Sequence, residues 1–318
     1  MSFPPSVRVS VCICTYRRPE QLGWLLADLI AQSRRPDEVV VVDNEAAGSG
    51  LASVEAARAG APFPILYEIQ PVKNISRTRN RAVALAGGDW LALLDDDERA
   101  PAHWLQTLLD TAARFGADGV IAPVVSVVPE TAPAWIRRGS FYQPARDTPT
   151  GEIMPLNSVG IGNALLSGPH LRALAGPFDE AYGLTGGEDS DLLTRLVQGG
   201  ARLVACQEAA VTEPVVEARL NLRWILLRAV RGNQDYARNW RRGRFGVIRP
   251  WSPLLFYLRA AVQLAVAATL CLLCLPLGRH RAARWLQLAA GNFGKLSTLW
   301  GWHYQEYAAP AAGRRGPA

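Results

Sequence analysis

Leu91–Ala100 reads "LALLDDDERA". A short apolar run bounded by polar residues reads as a buried strand, here opening onto Asp95, Asp96, Asp97 and Glu98. Four adjacent carboxylates repel one another unless positive charge faces them. Asp95 and Asp97 stand two apart, so in extended backbone they point to the same side. A divalent cation with oxygen ligands, Mg²⁺ or Mn²⁺, would relieve the repulsion and also hold substrate phosphates. The run fits equally a solvated turn with acids ahead of a helix that starts near Pro101, and Glu98 is assigned to that turn.

Outward from this point the pattern alternates. Val7–Tyr16, Asp37–Asn44 and Pro64–Gln70 read as strands rich in β-branched residues. Between the first two, Leu22, Leu25, Leu26, Leu29 and Ile30 recur at helical spacing. Ser76–Ala86 reads as a helix closed by Gly87-Gly88, residues 101–116 as another, and Ala117–Val128 as one further strand. Alternating strands and helices predict an α/β fold with a Rossmann-like, mostly parallel sheet and helices on both faces. Ligands bind such sheets at the carboxyl ends of the strands, where Thr15, Tyr16, Asp43 and Asp95–Asp97 fall. Pro129–Pro155 shows little periodicity and reads as a long active-site loop; Ser158–Leu166 returns to strand.

The charge is divided unevenly along the 318 residues. From Val215 onward there are sixteen Lys and Arg against three Asp and Glu, with six of the ten Trp; the preceding part is net acidic. A basic, Trp-rich end suits an anionic membrane surface better than a groove for nucleic acid. Ala260–Gly278 carries no charge for 19 positions, near the ~20 residues needed to span a bilayer. Arg flanks it on both sides, so orientation is not chosen, and a span, a re-entrant hairpin and an in-plane anchor all stay open. The expected division is 1–214 as a catalytic domain, 215–250 as basic amphipathic interface helices, and 251–318 as membrane-associated helices with a short disordered end. The five Cys lie in apolar runs without a zinc spacing and are expected to be buried, reduced thiols. The first residues have no charged, apolar signal pattern, which places the start of the chain in the cytoplasm.

Other clusters carry chemistry. Asp43 ends a strand and can accept a hydrogen bond from a base or ribose; it also fits a strand-end turn. Lys73, Arg77, Arg79 and Arg81 lie between two acidic strand ends, where one or two could neutralise a diphosphate, the rest being an exposed helix face. Gly186 and Gly187 let backbone approach a ligand, and Glu188 and Asp189 follow. A carboxylate held there suits a general base; Asp191 and Glu188 fit equally as acids favoured by a helix dipole.

With "KNISRTRNRAVALAGGDWLALLDDDE" and "GLTGGEDSDLLTRL" in this order, the sequence resembles the family 2 glycosyltransferases of GT-A fold. It is more closely similar to bacterial exopolysaccharide glucosyltransferases of the succinoglycan type. The likeness runs from about Val7 to Gly232. It implies that Thr15, Tyr16, Arg18, Asp43, Lys73, Arg77, Arg79, Asp95 and Asp96 hold a nucleotide-sugar. Asp95 and Asp97 would match the D-x-D metal acids. Asp189, beside Glu188, would match the general base, and Gly187, Arg219, Trp224 and Arg228 would meet the acceptor. The implied reaction is inverting transfer of a hexose such as glucose from a UDP-sugar to a polyprenyl-diphosphate-linked saccharide or other glycan, at the cytoplasmic face of the inner membrane. "LNLRWILLR" is not a clean Q-x-x-R-W and no array of spanning helices follows, which argues against processive extrusion. A sugar-phosphate nucleotidyltransferase needs a glycine-rich loop after its first strand, and "CTYRRPEQ" has none. A scaffold on a decayed fold would be expected to have lost Asp97 or Asp189.

Overall fold

The computed structural model describes residues 7–143, 148–156 and 160–307. Its centre is a seven-stranded sheet. β1 (Val9–Thr15), β2 (Glu38–Asp43), β3 (Ile65–Ile69) and β4 (Trp90–Asp95) are parallel, ordered β3-β2-β1-β4. β7 (Asn163–Ser167) runs antiparallel between β4 and β5 (Gly119–Ile121), and β8 (Leu203–Ala205) closes the edge. The sheet is mostly parallel, as expected, with one reversed strand.

β1 is apolar on both faces because both faces are covered. Val9, Val11 and Ile13 point into one core with Leu22, Leu25, Leu26 and Leu29 of α1 (Pro19–Ile30) and Trp104, Leu105 and Leu108 of α4 (Trp104–Phe115). Cys12 points the other way, toward Val40, Leu91 and Leu93, Ala82 and Val83 of α3 (Ile75–Leu85), and Leu192 and Leu193 of α7 (Glu188–Gln198). α3 starts where the Asn74 side chain accepts the Arg77 amide at 3.0 Å, satisfying one of the first-turn N–H groups.

Three sequence expectations change. Ala117–Val128 is two strands: β5 stops at Ile121, and β6 (Val124–Val127) pairs with β9 (Val211–Pro214) in a separate two-stranded sheet. Pro123 separates them, since proline has no N–H for a ladder. The stretch from Pro129 to Pro155 is not wholly loop, for it contains α5 (Ala134–Gly139). Leu51–Arg58 adds a helix, α2, whose one buried residue, Val54, leaves almost no periodic signal. Strand β7 begins later than the expected Ser158, which lies outside the described residues, as do 308–318. A short helix, α6 (Gly168–Arg172), follows β7.

Three long helices complete the chain: α8 (Leu222–Arg241), α9 (Ser252–Cys274) and α10 (Arg279–Ser297). α10 packs along both others. A Cβ on Gly294 would strike the Val230 backbone of α8, so only glycine allows that approach. α8 meets α9 through Trp240 stacked on Phe256, centroids 4.3 Å apart. The apolar run Ser252–Leu277 has a mean hydropathy of 2.2 over its most apolar 18 residues, of which only 11% are buried. By length and composition it could cross a membrane. Leu254, Leu255, Leu258, Val262 and Val266 are bare on it.

Candidate active site

Parallel register brings the acids together. Thr15 pairs with Asp43, and Cys14 with Asp95, so β1, β2 and β4 end at one edge. The four acids of Asp95–Glu98 then separate into different environments. Asp96, 3% exposed, accepts from Thr15 Oγ1 at 2.8 Å and Arg18 Nη1 at 2.7 Å. Glu98 is buried, accepts the Asp95 amide at 3.1 Å, and burial pushes its pKa well above the carboxylate range. Asp95 meets Arg79 at 3.1 Å. Asp97 meets Arg18 at 2.9 Å and Arg219 at 3.5 Å, and burial raises its pKa to about 7 against the pull of Arg18. Mutual repulsion is therefore met by three arginines, Arg18, Arg79 and Arg219.

Asp43 is fully buried. It accepts from Gly50 N at 2.7 Å, Glu45 N at 2.9 Å and the Tyr67 hydroxyl at 2.9 Å. It thus braces the 44–50 loop, with no accessible oxygen turned to a base or ribose. The ring of Tyr16 is exposed to two cations, Lys73 Nζ at 4.2 Å and the Arg17 guanidinium at 5.2 Å from its centroid. Arg77 is engaged by Glu180 at 2.7 Å and Arg81 by Glu68, so neither is turned to the acids.

The second acidic cluster closes the crevice. Gly186 and Gly187 have φ of 79° and 97°, left-handed backbone that glycine adopts at no steric cost. A Cβ on Gly187 would overlap the carboxylate of Asp235 from α8. Glu188 is 2% exposed and ion-paired to Arg79; burial raises its pKa to about 7, and its Oε2 has no partner. In this position Glu188 holds Arg79 and does not present a free carboxylate to the crevice. Asp189 is half-buried. Its Oδ1 accepts the Ser190 amide at 2.7 Å, leaving Oδ2 toward Gly160.

Sequence reasoning missed the partners that α8 supplies. Asp235 accepts from Ser190 Oγ at 2.8 Å, and burial, then the charge of Asp189, lifts its pKa to about 8. Arg231 comes within 3.8 Å of Glu306, and the Tyr307 amide donates to Leu184 O at 3.1 Å. Arg228, Arg231 and Asp235 recur at i, i+3 and i+7, one helix face, which was the available signal. Because the folded state holds the Asp235 proton more tightly than the unfolded chain, this group favours folding below pH ~4, and that contribution disappears as pH rises through about 8. Asp235→Asn is therefore expected to melt higher than the wild type at pH 8.5 and to flatten the decline between pH 5 and 8.5. Parallel pH profiles in a melting series would contradict the assignment.

On the α8 side, Trp224 stacks on Tyr142, centroids 5.5 Å apart at 17°. The guanidiniums of Arg219 and Arg228 lie 5.6 and 5.1 Å from its ring. Arg219 also pairs with Glu213, linking this aromatic platform to Asp97.

The residues fit an oxygen-coordinated cation in part. Asp95 and Asp97 offer carboxylates at the strand end, each already facing an arginine. Among the described residues no group of three His, Cys, Asp or Glu forms a ready cage, so a cation there would draw further ligands from substrate phosphates and water.

Glycosyl transferase family 2 matches residues 10–163. Over 298 residues the chain is 36% identical to the succinoglycan biosynthesis protein ExoM of Rhizobium meliloti, covering 93% of this chain and 94% of that protein. The chain is a family 2 glycosyltransferase. This glycosyltransferase is also 30% identical to the galactofuranosyltransferase GlfT1 of Mycobacterium tuberculosis over 65% of its length and 70% of the relative's. Among solved structures it resembles the mannosyltransferase PcManGT from Pyrobaculum calidifontis in complex with GDP-Man and Mn²⁺. The TM-score is 0.63 at 20% identity, covering 94% of this chain and 89% of that one. Residues 1–349 of S. aureus TarS in complex with UDP-GlcNAc give 0.54 at 17% identity, covering 94% and 93%. These likenesses place the glycosyltransferase in the GT-A fold.

Proposed function

We propose that this glycosyltransferase moves a hexose from a UDP-sugar to a membrane-associated, lipid-linked saccharide during polysaccharide synthesis, with inversion at the anomeric carbon. One observation carries the reading. Arg79 touches both Asp95 and Glu188, so a single side chain joins the strand-end acids to the loop that presents Asp189. A donor diphosphate at Asp95–Asp97 would then leave its sugar facing Asp189. The family relative in succinoglycan biosynthesis and the fold neighbour that holds UDP-GlcNAc support the substrate class.

In this mechanism Tyr16 and Lys73 flank the nucleoside, and Asp43 keeps their neighbouring loop in place. Asp189 Oδ2 takes the proton of an acceptor hydroxyl. That oxygen forms the new bond to the anomeric carbon as the bond to the diphosphate breaks on the opposite side, and UDP leaves. A divalent cation held by Asp97 and Asp95, as the Mn²⁺ of the fold neighbour supports, would offset charge gathering on the diphosphate. We take the reaction as one direct displacement, with Asp189 as the base and no carboxylate acting as a nucleophile. Residues 1–214 form the catalytic part, 215–250 the acceptor interface and 251–318 the membrane-facing part. The bare leucines of α9 and the basic end favour docking on an anionic surface at the cytoplasmic face.

Thermal-shift titration with UDP, GDP, ADP and UDP-sugars, each with and without Mn²⁺, tests the donor side. Ligand at a hundredfold its Kd stabilises the folded state by ~2.7 kcal/mol, a rise of several degrees. Only UDP compounds with metal are expected to give it. A folded protein that answers to none of them would end the reading.

A further inference from the structure

The last described residues fold back on the candidate site. Beyond α10 the segment Trp302–Tyr307 lies against α8, where Gln234, 2% exposed, meets it with both ends of its amide. Gln234 Oε1 accepts the Tyr304 amide at 2.9 Å, and Nε2 donates to Trp302 O at 2.9 Å and to Ser297 Oγ at 2.7 Å. A buried amide is costly unless its polar atoms are met, so Gln234 fixes the path of the segment. Three residues earlier on α8, Arg231 lies 3.8 Å from Glu306. The Tyr307 amide then donates to Leu184 O at 3.1 Å. That bond ties the segment to the glycine loop that presents Asp189.

The ring of Tyr307 reaches the crevice itself. A Cβ on Gly186 would stand 3.5 Å from Tyr307 Cε2 and 3.9 Å from Arg231 Nη1, so ring, guanidinium and glycine loop meet. Burial raises the pKa of the Tyr307 hydroxyl, Arg231 pulls it back, and Glu188, Arg79 and Asp95 act on it as well. Burial lowers the pKa of Arg231, and Tyr307, Glu306, Glu188 and Asp189 together outweigh it. Tyr307 thus stands near the donor-side Asp95 and the Arg79–Glu188 pair, with Arg231 between it and Asp189. The residue is half-buried, so part of it still faces open space. An activated sugar in that space has two attackers, an acceptor hydroxyl and water, and Asp189 can take a proton from either. A site that favours the acceptor does so by keeping bulk water out. A bulky ring beside the loop that carries the base, held by a buried amide behind it, suits that task.

We propose that Tyr307, held in place by the segment Trp302–Tyr307, walls the transfer crevice against water, so that the activated sugar passes to a saccharide hydroxyl. The reaction it suppresses is hydrolysis. In that reaction a water oxygen bonds to the anomeric carbon as the bond to the diphosphate breaks, Asp189 takes the water's proton, and free sugar and UDP leave. The inference rests on the transferase reading and adds to it a residue, from the far end of the chain, that sets the choice between acceptor and water.

The test uses the full chain in detergent with UDP-glucose, Mn²⁺ and no acceptor. Release of UDP is followed for the wild type, Tyr307→Ala, Tyr307→Phe and Tyr307→Ala/Asp189→Asn, and UDP affinity is measured calorimetrically for each. Tyr307→Ala is expected to hydrolyse UDP-glucose roughly tenfold or more faster than the wild type, because the water barrier is gone. Tyr307→Phe should keep the wild-type rate, since the ring remains. The double variant should fall back, since hydrolysis at this site still needs the base. UDP should bind all four alike, which also reports that the variants are folded. Three results would overturn the proposal: equal hydrolysis by the wild type and Tyr307→Ala, slower hydrolysis by Tyr307→Ala with UDP still bound, or a fast rate that survives Asp189→Asn. A wild type that hydrolyses GDP-mannose and no UDP-sugar would sink the donor reading alone, and the same comparison on GDP-mannose would then decide this one. A wild type inert toward both would take this inference with it.

Discussion

Asp189→Asn is expected to bind UDP-sugar as the wild type does and to transfer sugar about a hundred to ten thousand times more slowly, the span that a positioned general base contributes. The substitution keeps the shape of the side chain. An asparagine oxygen can still accept the Ser190 amide that Asp189 Oδ1 accepts at 2.7 Å, so the start of α7 is retained. What is lost is the free Oδ2 and its ability to take a proton. The charge next to Asp235 also disappears, and Asp235 is a buried acid that Asp189 raises further, so the variant should be at least as stable as the wild type. Turnover in single-substrate kinetics should fall with little change in donor affinity, since the interaction is made only as the acceptor reacts. A variant that turns over within twofold of the wild type would remove Asp189 from the role.

Arg79→Met is expected to carry the largest stability loss in the catalytic part. Arg79 is the ion-pair partner of Glu188, whose other oxygen is buried and unpartnered. Breaking a buried pair from one side costs ~3–5 kcal/mol because a charge is left behind. The loss should depend on pH. Burial already places the Glu188 pKa at about 7, above its ordinary value, and without the guanidinium it goes higher. A group raised in the folded state favours folding below its unfolded pKa and ceases to do so as pH rises through the folded one. The variant should therefore be nearest the wild type at pH 5 and furthest above pH 7. Arg79→Met/Glu188→Gln should recover much of the loss, the non-additivity expected of contacting residues. Equal losses in the single and double variants, or a loss constant from pH 5 to 8 in urea unfolding, would contradict this account.

Much of the first half of the fold was legible because its periodicities are undiluted. β1, β2 and β4 are apolar on both faces, and α1 and α4 each show a full apolar stripe. The acids at the strand ends were legible for the same reason, since parallel register sends each strand's last residue to one edge. The environment of each acid was not. Nothing in "DDDE" says that Asp96 is latched to Thr15, or that Glu98 turns back to the Asp95 amide. Asp43 and Glu188 stand in motif positions, yet their burial depends on Tyr67, Gly50 and Arg79, up to 109 positions away. Asp235 was hidden because its neighbour Gly187 matters through an atom it lacks.

The reversal of β7 decides which stretch of chain meets the acids. Because β7 runs against β4, with Leu94 opposite Asn163, the chain just before this strand, rather than after it, lies at the strand-end acids. Gly160 and Gly162 thus reach Asp189 and Asp95 from that side. Arg79 on Glu188 and Arg219 on Asp97 bolt the late part of the chain to the early part, so a change in one half is felt in the other.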